Sequence, residues 1–396
     1  MQSPSAKAWC RMRHVLKYIA VFLLSLYLRI VRGQGRREVR NDLNDCRILI
    51  SAMIGLGNSV LALPMVAALK KSFPLARIDI LTKDQSCRAI FAASGLADQI
   101  HVLAGSGKEK WHTLRRLRAQ GYDLGVLTFP TLALPQEVLP FFLKIKGVAA
   151  HDYSILHPYF GRLKKHFAYC QPVRAKIHDI EQNKLLLSPW VAPAEGIDFY
   201  PDINLPEDAD AKANAFLAER GIQAAEKIVG FHPGSRQGAV RKRWPFEYYL
   251  ALADRLCGEA GTRAFFFLGP DEIELQQQMA DRRFLVVQSD NLFEVMALLR
   301  KCSLFISNDS GIMHTASLCG IPLLTIWGGT DEHRNAARGH SITNVLPEGF
   351  ICRPCIDWVP RYPCPYLPKP CVHSIDVSRV FKIALPLVAV QSAPIQ

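Results

Sequence analysis

Apolar positions along the chain fall into short runs separated by amphipathic stretches and by turns rich in glycine, proline and asparagine. In the first half, Arg47–Ala52, Arg77–Thr82, Gln99–Leu103 and Asp123–Thr128 each read as a strand, with Gly147–Ala150 as a further candidate. Between them Ser59–Ser72, Ser86–Ser94 and Glu109–Gln120 have helical spacing, and Ile177–Leu187 reads as a helix that closes this half. The second half repeats the plan. Strands are expected over Lys227–Phe231, Arg263–Leu268, Phe284–Val287 and Leu304–Ser307, and Pro322 opens another. Helices are expected over Pro245–Ala260, Glu272–Asp281, Leu292–Lys301 and Ile312–Cys319. Strands alternating with helices across short loops specify an α/β chain with parallel sheets covered by helices. Pro189–Pro206, rich in proline and acid, reads as a linker, so residues 45–188 and 207–396 are expected to form two domains. Two doubly wound halves would place a ligand cleft at the carboxyl ends of their strands, between the domains.

Residues 1–44 stand apart from this pattern. Tyr18–Leu28 is apolar on all sides rather than along one stripe, and Lys17 and Arg29 at its ends are able to snorkel. Extended to Val31, the run would reach about 21 Å as a helix, short of the ~30 Å hydrocarbon core of a bilayer. No small-residue cleavage site follows it, which argues against a signal peptide. An embedded or interfacial membrane anchor is the expectation, with a short span or a packing helix as alternatives. The basic flank favours a cytoplasmic body and attraction to anionic lipid.

Composition sharpens this division. A chain of 396 residues exceeds one ordinary core, and 49% hydrophobic content excludes a disordered chain. The formal net charge is +13. Residues 1–40 hold nine Lys/Arg against Glu38, which is +8, leaving +5 for the remaining 356 residues. The charge belongs mainly to the terminus, and no nucleic-acid partner is expected of the folded body.

Candidate chemistry gathers after successive strands of the second half. Asn308, Asp309, Ser310 and Gly311 are turn and cap residues before a helix, whose start offers free N–H groups and partial positive charge to an anion such as phosphate. Gly311 allows close approach to the backbone. His232-Pro233-Gly234-Ser235-Arg236 follows an earlier strand, and Arg241, Lys242 and Arg243 add three cations before Trp244-Pro245. Gly269-Pro270-Asp271-Glu272 follows the next strand and could supply a carboxylate to a ribose. With His314 these residues would complete a nucleotide diphosphate site. Taken singly, the same residues also suit an ordinary strand–helix turn, a solvated basic turn and a helix-face histidine.

Three blocks resemble the ADP-heptose:lipopolysaccharide heptosyltransferase family, glycosyltransferase family 9. The first is Ile54-Gly55-Leu56-Gly57-Asn58 with Pro64, Leu69-Lys70 and Phe73-Pro74. The second is His232-Pro233-Gly234-Ser235 with Lys242-Arg243-Trp244-Pro245. The third is Asn308-Asp309-Ser310-Gly311 with His314, Ala316, Gly320, Pro322 and Gly329-Thr330-Asp331. His178–Asn183 is similar to the family's helix before the linker, and the resemblance spans roughly residues 46–385. It implies a GT-B fold of two Rossmann-like domains facing a cleft. It also implies inverting, metal-independent transfer of a sugar from a nucleotide diphosphate such as ADP-heptose. The acceptor would be lipopolysaccharide core or another anionic cell-surface glycolipid, at the cytoplasmic face of the inner membrane.

By that resemblance Ser235 and Lys242 meet the donor phosphates and Glu272 or Asp271 the ribose, while Asp309, Ser310, Gly311 and His314 line the diphosphate and sugar; Gly234 and Arg243 are counted with the donor-binding residues. Gly55, Gly57 and Asn58 form the acceptor loop. Well-known members carry an acid where Asn58 stands, acting as general base, and a carboxamide takes no proton at neutral pH. His151 and Asp152 are weak replacements. A non-catalytic nucleotide-sugar-binding protein is therefore the alternative. A dinucleotide oxidoreductase is disfavoured, because Val60 replaces the third glycine of its fingerprint and Lys83 follows the second strand.

Among eleven cysteines, Cys352, Cys355, Cys364 and Cys371 fall at spacings that suit a structural zinc site, with disulfides or free thiols as alternatives. Asp208-Ala209-Asp210 mimics a metal-binding pair of acids but reads as a helix start.

Overall fold

The computed structural model describes residues 17, 19–28, 39–131, 133–154, 160–174, 176–192, 200–235, 240–269, 272–279, 284–339, 341–356 and 364–389. These form two compact units: Met1–Ile54, Met65–Asp84 and Leu96–Glu195 in one, and Gly55–Pro64, Gln85–Gly95 and Gly196–Gln396 in the other, counting described residues.

The first sheet contains β1 (Arg47–Ala52), β2 (Arg77–Thr82), β3 (Gln99–Val102), β4 (Leu124–Leu127), β5 (Gly147–Asp152) and β6 (Tyr169–Pro172). The second contains β7 (Ile228–His232), β8 (Arg263–Phe267), β9 (Leu285–Val287), β10 (Cys302–Asn308), β11 (Leu323–Ile326) and β12 (Ile342–Val345). Strand order is β3-β2-β1-β4-β5-β6 in one and β12-β11-β10-β7-β8-β9 in the other. The two orders are equivalent when each set is counted from its own first strand, and the pairings are parallel. The chain thus repeats a topology without a visible repeat of sequence. Both orders reverse at a switch point, beside β1/β4 and β7/β10, where doubly wound sheets leave a crevice at the carboxyl ends of their strands.

The expected strands and helices are present with ends shifted by a few residues. The first helix begins earlier than expected, at Leu56. Helix Gly107–Ala119 also starts early, because Ser106 and Glu109 form a capping box. Sequence patterning missed β6, β12 and the helices Leu134–Phe142 and Val377–Ala389, and indicated only the start of helix Ala209–Glu219. Asp208 occupies the N-cap position of Ala209–Glu219 without a capping bond and pairs with Lys212 at 2.7 Å, so that acidic triplet is a helix start.

The second core is aromatic. Phe231 stacks on Phe266 with ring centroids 5.1 Å apart, and Trp244 meets Tyr249 edge-on at 4.9 Å. Helix Val377–Ala389 closes this core with Val380, Phe381, Ala384 and Val388. Trp244, at 1% exposure, donates its indole N–H to the Ile375 carbonyl at 2.7 Å and so ties the core to the chain's tail. Trp244→Ala is expected to destabilise this unit by about 3–5 kcal/mol, read as a lowered urea midpoint. An unchanged midpoint would show that the tail, not the indole, closes the core.

Candidate functional site

The predicted donor residues converge at the carboxyl ends of β7, β8 and β10. In register Ser307 pairs with His232 and Asn308 with Ile326, so the ends of β7, β10 and β11 lie side by side. The loops leaving them carry Gly234-Ser235, Asn308-Asp309-Ser310 and Gly328-Gly329-Thr330.

Asn308 is fully buried and joins two of these loops to a third. Its carboxamide oxygen accepts from the Trp244 N–H at 2.9 Å, and its nitrogen donates to the carbonyls of Pro233 and Gly234 at 2.7 and 3.3 Å. This reach of 64 to 75 residues along the chain is absent from local patterning, which shows Asn308 only as a turn residue. Asp309 is 3% exposed; its carboxylate accepts from Lys242 at 2.7 Å and from Asn335 at 3.1 Å. Burial alone would raise its pKa, but the Lys242 ammonium holds it below the usual carboxylate value. The buried charge is therefore paired, and Lys242 is fixed beside the end of β10.

Ser310 occupies the N-cap position of helix Gly311–Leu318, yet its hydroxyl makes no capping bond and lies 3.2 Å from that of Ser307. The expected cap is thus a cap by position alone. The first-turn N–H groups receive no side-chain acceptor from it and remain suited to an anion. Arg243 is engaged within the protein. Its guanidinium donates to the Ser235 hydroxyl at 3.1 Å and to the Ser235 carbonyl, so it shapes the loop rather than offering an unengaged cation.

Glu272 is buried, accepts from the Gly269 N–H at 2.8 Å, and lies so close to Gly234 that any side-chain carbon there would strike its carboxylate. Asp271 and Arg236 lie outside the described residues. His232, Ser235, Glu272, Ser310 and Gly311 line a cavity of about 240 Å³ whose apolar wall includes Phe267, Val287, Leu292 and Val295. His232 bonds the Phe267 carbonyl at 2.8 Å; burial lowers its pKa, opposed by the Glu272 carboxylate.

His314 is 2% exposed, and its Nδ1 has no hydrogen-bond partner among the described residues. The glycine-loop segment Gly55–Pro64 counts with this unit. A side-chain carbon at Gly57 would come within 2.5 Å of the His314 ring, so glycine is required there for space. Gly55 precedes helix Leu56–Ser72, and the half-buried Asn58 lies in its first turn.

The weak alternatives to an acid at Asn58 are poorly placed for proton transfer. His151, at the end of β5, is 2% exposed; burial pushes its pKa down to about 3, despite the neighbouring Gln182 backbone. Such an imidazole stays neutral and weakly basic at pH 7. Asp152 accepts from Lys164 at 2.8 Å and from the Ser154 N–H at 2.9 Å, and although burial raises its pKa, those partners lower it further.

Among the described residues no disulfide joins the four tail cysteines, and no three His, Cys, Asp or Glu side chains are arranged to hold a metal ion. They are nevertheless neighbours. Burial raises the Cys371 thiol to about 11, with contributions from the charges of Cys355, Cys352 and Cys364. The segment is bolted to the loop after β11. Cys355 and Ile356 donate backbone N–H groups to the Gly329 carbonyl at 2.9 and 2.8 Å. Arg353 donates to the Gly328 and Thr330 carbonyls at 2.6 and 3.2 Å and pairs with Glu332 at 2.9 Å. That loop in turn meets the segment bearing Lys242, since the Gly329 N–H donates to the Arg241 carbonyl at 3.1 Å.

Burial holds the His314 pKa at about 4, against an ordinary 6.5, with Asp309 acting upward and Lys242 downward. A folded value below the unfolded one gives stability that is complete above 6.5 and lost as pH falls toward 4. Between pH 7 and 4 the protein should therefore lose on the order of 3 kcal/mol more stability than His314→Gln, measured by urea unfolding at each pH. Equal losses would mean that His314 is solvated.

The family model for glycosyltransferase family 9 (heptosyltransferase) matches residues 111–364. The lipooligosaccharide heptosyltransferase 2 of Haemophilus influenzae is 28% identical over 331 residues, covering 77% of this chain and 90% of that protein. Among solved structures, the family 9 glycosyl transferase from Veillonella parvula superposes with a TM-score of 0.69 at 18% identity, covering 90% of this chain and 99% of the other. The ADP-heptose lps heptosyltransferase II of E. coli gives 0.67 at 17% identity, covering 87% and 98%. These likenesses give the fold as GT-B. With the family match spanning well over half its length, the chain belongs to glycosyltransferase family 9, the heptosyltransferases, and is a glycosyltransferase.

Proposed function

We propose that the chain transfers a heptose or related sugar from a nucleotide diphosphate donor such as ADP-heptose to lipopolysaccharide core or another anionic cell-surface glycolipid. Transfer proceeds with inversion and without a metal in the chemical step. The observation that carries the donor reading is the meeting of Lys242, the start of helix Gly311–Leu318 and buried Glu272 at the ends of β7, β8 and β10. The names of the relatives support heptose and lipopolysaccharide.

In this mechanism the diphosphate lies against the first turn of helix Gly311–Leu318, with Lys242 beside it. Charge builds on the diphosphate as the glycosidic bond breaks, and fixed N–H groups and an ammonium stabilise that charge without reorganising. Glu272 accepts a ribose hydroxyl, and the nucleobase packs on Phe267, Val287, Leu292 and Val295. Gly234 and Ser235 shape the phosphate loop, with Arg243 bracing Ser235. His314, neutral at pH 7, faces the sugar as a hydrogen-bonding group rather than a cation. Asn58 orients the acceptor hydroxyl. No observation favours a role confined to binding.

Lys242→Ala should weaken ADP binding about 10- to 150-fold, the value of a charge-assisted hydrogen bond of about 1.5–3 kcal/mol. That variant also leaves Asp309 buried and unpaired, so the comparison is repeated in an Asp309→Asn background. Gly311→Val should be at least as harmful, because an added side chain obstructs the helix start and meets Leu56 at 3.1 Å. Asn58→Ala should leave ADP binding nearly intact and reduce product formation. Titration calorimetry and sugar-transfer assays read these outcomes. Loss of ADP binding in Asn58→Ala alone would place the donor elsewhere.

The tail cysteines are proposed as a structural zinc centre, on their spacing and nearness to one another. Elemental analysis of protein purified without chelator should find about one metal per chain. Four thiols that all react freely in the folded, metal-free protein would reject the centre.

A further inference from the structure

Residues 19–28 form a helix whose two faces differ in partner rather than in polarity. Val21, Ser25 and Leu28 are buried at 1%, 4% and 2% exposure. Ser25 hydrogen-bonds His166 at 3.0 Å, and the Arg162 guanidinium lies 5.0 Å from the centre of the Phe22 ring. The opposite face leaves Ile19, Phe22, Leu23, Leu26 and Tyr27 between 44% and 59% exposed. Their spacing of three and four residues makes one continuous apolar stripe. The run is apolar all round because one side packs on the protein and the other faces outward. Among the described residues no helix is long and apolar enough to cross a membrane.

A second element of the same unit carries the matching charge. Helix Gly107–Ala119 exposes Lys108, Lys110, Arg115 and Arg116 together with Trp111, which is 50% exposed. Its acid, Glu109, is engaged in the capping box with Ser106. Trp111 packs on Phe142 at 5.7 Å between ring centroids, while the adjacent Phe141 meets His166, the partner of Ser25, at 6.3 Å. The apolar helix and the basic helix are therefore both anchored to the carboxyl end of helix Leu134–Phe142.

We propose that these two helices form a monotopic docking surface for an anionic lipid leaflet. The Ile19–Tyr27 stripe lies in the plane of the interface, with its side chains among the acyl chains. Trp111 rests at headgroup depth, and the four cations meet lipid phosphates. An aromatic side chain with an N–H suits that depth. An apolar stripe and a polybasic patch are the two signals that together give stable interfacial binding, where one alone gives a marginal one. This goes beyond the proposed transfer reaction by fixing which face meets the membrane, and it rests on that reading only for the acceptor's location.

The test is sedimentation of the full chain with phosphatidylglycerol-containing vesicles, and with phosphatidylcholine vesicles alone. Intact protein should favour the anionic vesicles. Leu23→Glu with Leu26→Glu, and separately Arg115→Glu with Arg116→Glu, should each reduce partition by about tenfold or more. All four positions are exposed, and circular dichroism confirms folding. Both variants should keep transfer to a lipid-free acceptor fragment. Unchanged partition in the Leu23/Leu26 variant overturns the proposal. So does a wild type that sediments as a dimer, becomes monomeric in that variant and binds vesicles equally in both, because the stripe would then cover a second copy. Absence of transfer by intact protein that still binds vesicles would reject the transferase reading and leave the docking surface standing.

Discussion

One buried carboxamide sets the geometry of the donor end of this molecule. Asn308 holds the Trp244 N–H with its oxygen and the Pro233 and Gly234 carbonyls with its nitrogen. Three backbone groups from two loops would otherwise be buried without partners, each at a cost of roughly 1–3 kcal/mol. Several of the donor-site residues lie within two residues of one of those contacts. Lys242 precedes Trp244 by two residues, Ser235 follows Gly234, and Asp309 follows Asn308. The Lys242–Asp309 pair then locks the same junction electrostatically, and Trp244 carries it into the aromatic core.

The tail reaches this junction by a second route. Cys355 and Arg353 grip the Gly328–Thr330 loop, and that loop bonds the Arg241 carbonyl beside Lys242. At Gly328 a side-chain carbon would run into the Arg241 backbone, so the approach depends on glycine. The cysteine-bearing segment thus buttresses the cation rather than the substrate.

The alternation of strand and helix was legible because buried parallel strands are apolar throughout and their helices are not. Short, partly buried edges were less visible. β6 spans Tyr169–Pro172 and ends on proline, while β12 spans Ile342–Val345 with Asn344 exposed. Helix Leu134–Phe142 holds Pro135 in its first turn and Pro140 within it, which read as breaks from sequence alone. The positions of the site residues were legible because turn chemistry follows successive strands. Their pairings were not. Arg243 reads as a phosphate cation but braces Ser235, and Lys242 finds Asp309 across 67 residues. Local composition gives the loops; only the packed sheet determines which loop answers which.

The two sheets treat titratable groups at their carboxyl edges differently. In the first unit burial makes the charged forms unfavourable. His151 is pushed to about 3, and Glu137, in the helix after β4, is raised well above the carboxylate range with neither oxygen hydrogen-bonded among the described residues. Asp152 keeps its charge only by pairing with Lys164. In the second unit an equally buried Asp309 is kept ionised because Lys242 and Asn335 reach it. A leaving diphosphate needs fixed charge, which the second edge maintains. An incoming hydroxyl needs a group that can change protonation, and Asn58 cannot.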